Sequence, residues 1–254
     1  MDRRYLLTAL AVLGGGSAAA ADPLSGLIGE AQKALGSSQS SSGSTSGGLP
    51  TQVSAQDGQA GIREALIKGA TAAVLRVGRL DGYWGDGQIR IPLPGALGSI
   101  QKSLKGVGLS GPLDDLHEKI NRAAETAAPK AGSIFKRTIS SMTVEDVAGV
   151  LRGGDTAGTQ YLKSRTGDQL ATLFHPPMRA ALDQSGAFTA LRSAVAKHGA
   201  EGLIGGDPAE SLTRFAVGKG LDGVFYYVGV EEAAIRHDPV KQTTSLLRKV
   251  FGSL

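Results

Sequence analysis

Residues 207–239 read DPAESLTRFAVGKGLDGVFYYVGVEEAAIRHDP, and two folds compete for them. Gly218-Lys219-Gly220-Leu221-Asp222-Gly223 matches the G-x-G-x-x-G pattern of a dinucleotide-binding turn. That turn needs a strand before it, a helix after it and a further strand beyond. Too little chain remains between Gly223 and Leu254 to complete such a fold. Val217, Leu221, Val224, Phe225 and Val228 instead share one face at helical spacing. Asp207 is a natural N-cap and Pro208 suits the first helical turn, so one long helix is expected with Leu212–Ile235 as its body. Asp238-Pro239 repeats the signal and predicts the start of a last helix. Glycine inside a helix costs up to about 1 kcal/mol relative to alanine. Gly218, Gly220, Gly223 and Gly229 therefore predict close packing against neighbours.

The same periodicity extends upstream. Ile62, Leu66, Ala70, Ala73, Val74 and Val77 form one apolar stripe. Leu113, Leu116, Ile120, Ala123, Ala124 and Ala127 form another, stopped by Pro129, and Ile134, Phe135, Ile139 and Met142 continue it. Thr143-Val144-Glu145-Asp146 reads as a capped helix start with acids in the first turn, ending at Gly153-Gly154. Asp155 is the expected cap of the next helix, and His175-Pro176-Pro177 is expected to break it after Phe174. Apart from Ile89-Arg90-Ile91, no run looks like a strand. The expected architecture is all-α: a compact multi-helix bundle with one long irregular loop, about 81–95, which reads DGYWGDGQIRIPLPG. Long ordered loops in compact domains are often functional.

The front of the chain is different. Arg3-Arg4, the apolar run Tyr5–Leu13 and Ala19-Ala20-Ala21 predict a signal peptide over 1–21, cleaved after Ala21. The paired arginines also fit twin-arginine export. A periplasmic or secreted product is expected, with no transmembrane segment, since the apolar run is too short to span. Residues 22–36 suggest a short amphipathic segment, and the Ser/Gly-rich 37–58 a flexible linker. A single helical domain is expected over 59–254.

Composition narrows the chemistry. There is no cysteine, which excludes disulfides, thiolate metal sites and a thiol nucleophile. Glycine accounts for 37 of 254 residues, about twice its usual share. The net charge of +4 is mild and scattered, so no nucleic-acid partner is expected. His117, His175, His198 and His237 show no metal-ligand spacing, and no G-x-S-x-G turn occurs, so no metal, cofactor or catalytic signature is implied.

The candidate ligand-binding residues are charges and aromatics among apolar helical neighbours. Asp81, Tyr83, Trp84 and Arg90 lie on the loop, and Arg122 and Glu125 on the alanine-rich helix. Asp222, Tyr226, Glu231, Glu232 and Arg236 lie on the long helix. If they converge, they form a polar pocket with an aromatic wall for a small molecule or envelope component. The competing expectation is structural: Arg90 and Arg122 pair with buried carboxylates and hold the loop on the bundle. Glu118–Arg122 and Glu232–Arg236 are expected as exposed i,i+4 pairs. Two alternatives stay open. One is a hydrolase of an envelope component using Asp222, Glu231 or Glu232. The other is a lipid carrier, which requires an apolar cavity between helices.

Several strings in this chain resemble the bacterial family catalogued as domain of unknown function 4197. They are DGYWGDGQIRIPLP, Asn121-Arg122-Ala123-Ala124-Glu125 with Ala128-Pro129, and Ser141–Asp146. Gly153-Gly154-Asp155 with Thr159-Gln160-Tyr161, Leu221–Tyr226, Glu231-Glu232 with Ile235-Arg236, and Leu246–Phe251 complete the set. The resemblance covers roughly 59–254. It implies an exported, predominantly helical domain and assigns no activity.

Overall fold

The computed structural model describes residues 54–186, 189 and 208–252. The expected signal peptide, the amphipathic segment 22–36, most of the linker and Asp207 lie outside them. The described residues form helices α1 (Ala55–Val77), α2 (Gly95–Lys105), α3 (Gly111–Ala127) and α4 (Ala131–Ser140). These are followed by α5 (Val144–Arg152), α6 (Ala157–Asp183), α7 (Pro208–His237) and α8 (Ser245–Phe251). A 3₁₀ turn, Ala128–Lys130, links α3 to α4, and no strand occurs among the described residues. The all-α reading holds, and Ile89-Arg90-Ile91 runs through turn and coil. Helix α1 starts at Ala55, because Ser54 caps it by accepting the Asp57 N–H. Residues 55–58 are therefore helix rather than linker.

The long helix α7 is the central element, packed along both α6 and α1. α3 lies against α6, α4 fills the angle between α1 and α6, and α8 returns to α1. The core is continuous: Ile62, Leu66, Leu116, Ile120, Leu162 and Leu170 are fully or nearly fully buried. Phe135 of α4 meets Phe225 of α7 edge to face, with ring centroids 5.9 Å apart.

The G-x-G-x-x-G match is helix throughout, and its glycines mostly serve close approach. A Cβ at Gly223 would stand 2.7 Å from Tyr83 Cε1 and 3.1 Å from Ile89 Cβ, so the loop reaches α7 only because side-chain atoms are missing there. Gly220 lies against Phe174 and Met178, and Gly229 against Thr156. Gly218 differs, since among the described residues nothing beyond its own stretch of helix lies within 4 Å of where its Cβ would be.

Three expected boundaries are corrected. α6 does not break at Pro176-Pro177 but continues to Asp183. Each proline removes one i→i−4 bond, at a cost of about 3 kcal/mol. Fully buried Phe174 and Met178 bracket the pair, and tertiary burial keeps the helix running. Asp238-Pro239 forms a turn, and the last helix starts seven residues after Asp238, at Ser245, where Thr244 accepts the Leu247 N–H. Asp155 does not cap α6; it faces the His237 ring instead.

Helix α5 is capped as expected. Thr143 accepts the Asp146 N–H, and Asp146 accepts the Thr143 N–H, a reciprocal capping box. These hydrogen bonds from Thr143, and Arg165 nearby, hold the Asp146 carboxyl below its ordinary pKa.

Candidate functional site

The loop between α1 and α2 is held by side chains that helical spacing places on one face of α3. Positions 118, 121, 122 and 125 follow one another at three- and four-residue steps. Glu125, only 5% exposed, accepts the backbone N–H groups of Tyr83 and Trp84 on one oxygen, at 3.0 Å each. Its other oxygen accepts from Arg122 at 2.9 Å. Arg122 also reaches Asp81 at 2.8 Å and Glu118 at 3.1 Å. These carboxylates stabilise the guanidinium charge and push the Arg122 pKa upward, with Glu125 the largest contributor. Asn121 treats Ile91 as a strand would, accepting its N–H at 2.9 Å and donating to its carbonyl at 3.0 Å.

The other side of the loop is fixed to α7 and α1. Tyr83 is fully buried and its hydroxyl donates to the Gly220 carbonyl at 2.7 Å. Burial, then the nearby Glu125 charge, pushes the Tyr83 pKa well up, so it stays a neutral donor. Tyr227 donates to Asp86, and Arg76 donates to the Tyr227 hydroxyl at 3.0 Å. Asp81 takes φ +63°, a left-handed conformation that Asp tolerates better than most residues. The next residue is Gly82, where a Cβ would collide with the Val77 backbone.

What the clamp presents is a concave pocket of about 400 Å³. Trp84 and His117 form its aromatic wall, edge to face with centroids 5.0 Å apart. Arg90 lies over the Trp84 ring at 4.9 Å and donates through Nε to the Trp84 carbonyl at 2.5 Å. Lys102 and Lys105 enter from α2. Among the described residues, no carboxylate comes within ion-pair distance of Arg90, Lys102 or Lys105. Asp114, the pocket's carboxylate, is taken up by Ser110 at 2.6 Å and Gln101 at 2.7 Å, which lower its pKa. Burial of His117 lowers its pKa and favours the neutral ring.

The candidate residues therefore do not share one cleft. Asp81, Arg122 and Glu125 converge as a clamp, and Tyr83 is buried beneath it. Trp84 and Arg90 belong to the pocket, and the expectation that Arg90 pairs with a buried carboxylate is corrected. Asp222 is exposed and paired with Lys219 and Lys163. Tyr226 is exposed and stacks edge-on against Tyr227. Glu231 meets Lys241 at 3.3 Å.

Glu232 and Arg236 form a second structural centre. Expected as an exposed pair, they are 5% and 7% exposed. Glu232 accepts the Gly158 and Thr159 N–H groups at 2.9 and 2.7 Å, the Thr159 hydroxyl at 2.8 Å and Arg236 at 3.0 Å. It is the N-terminal cap of α6, delivered from α7. Arg236 also donates to the Val150 carbonyl at 2.8 Å. The cavity beside them is about 10 Å³, room for about one water. None of Asp222, Glu231 and Glu232 has the half-buried, unpaired setting that suits a general acid or base.

Gln101, Lys102, Lys105 and His117 escaped the sequence reading. A weak signal existed: His117 precedes Asn121 by one turn, and Lys102 and Lys105 are spaced i,i+3 directly after the loop. Among the described residues no group of three His, Asp or Glu side chains is placed to hold a metal, and no helix is long and apolar enough to cross a membrane.

Fold and site together define an all-α domain with a polar pocket borne on a clamped loop. The family described as Protein of unknown function (DUF4197) matches residues 52–252, and the chain belongs to it. No curated protein and no solved structure matches this chain.

Proposed function

We propose that this domain is a binding module for a small organic anion, held in the pocket of Trp84, Arg90 and His117. One observation carries the reading: Arg90, Lys102 and Lys105, none within ion-pair distance of a carboxylate among the described residues, outnumber the pocket's one carboxylate, Asp114, around a concavity walled by two aromatic rings. Charge-assisted hydrogen bonds to such cations contribute about 1.5–3 kcal/mol each. The Trp84 face adds a surface for a planar or apolar part of the ligand. The clamp fixes both Trp84 and the start of the loop before any ligand arrives, which lowers the ordering cost of binding. The N-terminal pattern supports the further reading that the module is exported and works in the periplasm or outside the cell, on a soluble or envelope-derived ligand. Mass measurement of the product from its native host checks that address, with Asp22 expected as the first residue.

Trp84 is the only tryptophan, so its emission reports on this pocket directly. Titration with benzoate and with inorganic phosphate is expected to give a saturable change in that emission for at least one of them. Arg90→Ala should weaken binding about tenfold, equivalent to about 1.4 kcal/mol. Lys102→Ala should act in the same direction. No saturable response, or an unchanged affinity in Arg90→Ala, refutes the proposal.

A further inference from the structure

A second concavity lies between α6 and α7, with a volume of about 590 Å³. That falls within the range typical of small-molecule sites. Pro176 of α6 and Val217 and Leu221 of α7 give it apolar walls, and His175, Glu210 and Arg214 gather at its charged end. It shares no lining residue with the Trp84 pocket.

Two departures from helix chemistry face each other across this groove. Gly218 sits in the interior of α7 with no described residue packed where its side chain would be, unlike Gly220, Gly223 and Gly229. A glycine there weakens the helix without permitting any close contact. Its missing side chain keeps the groove open. On the opposite wall, Pro176 leaves the Thr172 carbonyl without the usual N–H partner four residues on. Local rules of this kind are broken most often at functional sites.

The charged end offers one solvent-open guanidinium, that of Arg214. The Glu210 carboxylate is approached by His175 Nε2 at 3.0 Å, Arg214 at 3.8 Å and Arg179 at 3.9 Å. Arg179 is held more closely by Asp183, at 3.1 Å, so Arg214 is the cation that Glu210 holds only loosely. The Arg214 side chain is 70% exposed, with much of its donor fork open to solvent. A guanidinium fork matches a carboxylate in a bidentate pair.

We infer that this groove binds a single-chain carboxylate amphiphile. Its head pairs with Arg214 beside His175, and its hydrocarbon chain lies over Gly218 against Pro176, Val217 and Leu221. The site is independent of the anion pocket proposed above.

The test is calorimetric titration of the full mature chain with laurate below its micelle concentration, alongside butyrate and dodecanol. Laurate is expected to bind with micromolar affinity, with butyrate and dodecanol at least about tenfold weaker. Gly218→Leu fills the groove, and Arg214→Ala removes the head contact. Each should weaken laurate about tenfold or more. Gly218→Ala, which adds only a methyl group, should keep most of the binding and confirms that position 218 tolerates a side chain. Trp84→Ala should leave laurate binding unchanged. Absent laurate binding, equal binding of dodecanol, or an unaffected Gly218→Leu variant overturns the inference. So does a loss in Trp84→Ala as large as that in Arg214→Ala, because it moves the ligand to the other pocket.

Discussion

Gly218→Ala and Gly223→Ala make the same chemical change on the same helix, five residues apart, and should have opposite signs. Alanine improves a helix interior by about 0.5–1 kcal/mol over glycine. At Gly218 no neighbour among the described residues opposes that gain, since beyond its own stretch of helix none lies within 4 Å of the added methyl. At Gly223 the methyl would stand 2.7 Å from Tyr83 Cε1 and 3.1 Å from Ile89 Cβ. Tyr83 is fully buried and tied to the Gly220 carbonyl, so its ring has no easy retreat. Overpacking of that kind costs about 1–3 kcal/mol. The net expectation is a gain of about 0.5–1 kcal/mol for Gly218→Ala and a loss of up to about 2.5 kcal/mol for Gly223→Ala. Gly220→Ala, with its nearest neighbours at 3.3 Å, should fall between them. Urea unfolding followed by far-UV circular dichroism measures all three. For a domain of this size each kcal/mol moves Tm by about 2–4 °C. If Gly223→Ala matches or exceeds Gly218→Ala in stability, the packing account of the glycine motif is wrong.

Glu232→Ala should lose about 3–5 kcal/mol, because it strands buried Arg236 and uncaps α6 together. A loss under about 1 kcal/mol in urea unfolding would contradict the buried geometry. Tyr83→Phe should cost about 0.5–1.5 kcal/mol, the net worth of one hydrogen bond, and leave the circular dichroism spectrum unchanged. The capping box gives a pH prediction. The Asp146 carboxyl titrates lower in the folded chain than in the unfolded one, so its contribution is complete above the ordinary carboxylate pKa and fades as pH falls through the folded value. Asp146→Asn should therefore lower Tm at pH 7, and that difference should shrink toward zero in acid. A difference that persists unchanged at low pH would assign the effect to something other than the charge.

Local pattern made most of the fold legible. The apolar stripes of α1, α3 and α7 survive intact because a helix repeats its buried face every three to four residues whatever it packs against. The loop at 81–95 was legible for the same reason, as the stretch where that repeat fails. The misses share a cause in distance along the chain. Asp155 looks like a cap because the local rule asks for one, but Glu232 arrives from 74 residues away to accept the Gly158 N–H. Pro176-Pro177 looks like a stop because the cost is local while the compensating burial of Phe174 and Met178 is tertiary. The candidate site was half legible. Trp84 and Arg90 stood out as rare residues on an irregular loop. Lys102, Lys105 and His117 sit on ordinary helices and become pocket residues only when α2 and α3 are brought beside Trp84.

The cap on α6 has a consequence for how the chain acquires its shape. A ribosome adds about 5–20 residues per second, so the start of α6 emerges roughly 4–15 s before Glu232 exists to complete it. α1 waits longer still, since a Cβ at Gly61 would meet Val250 at 2.5 Å and the seat of the first described helix is the last one. An N-terminal fragment would hold exposed apolar stripes and two unanswered N–H groups. The domain therefore closes only once Glu232 and Val250 have been made, and until then α6 and α1 lack the partners that complete them.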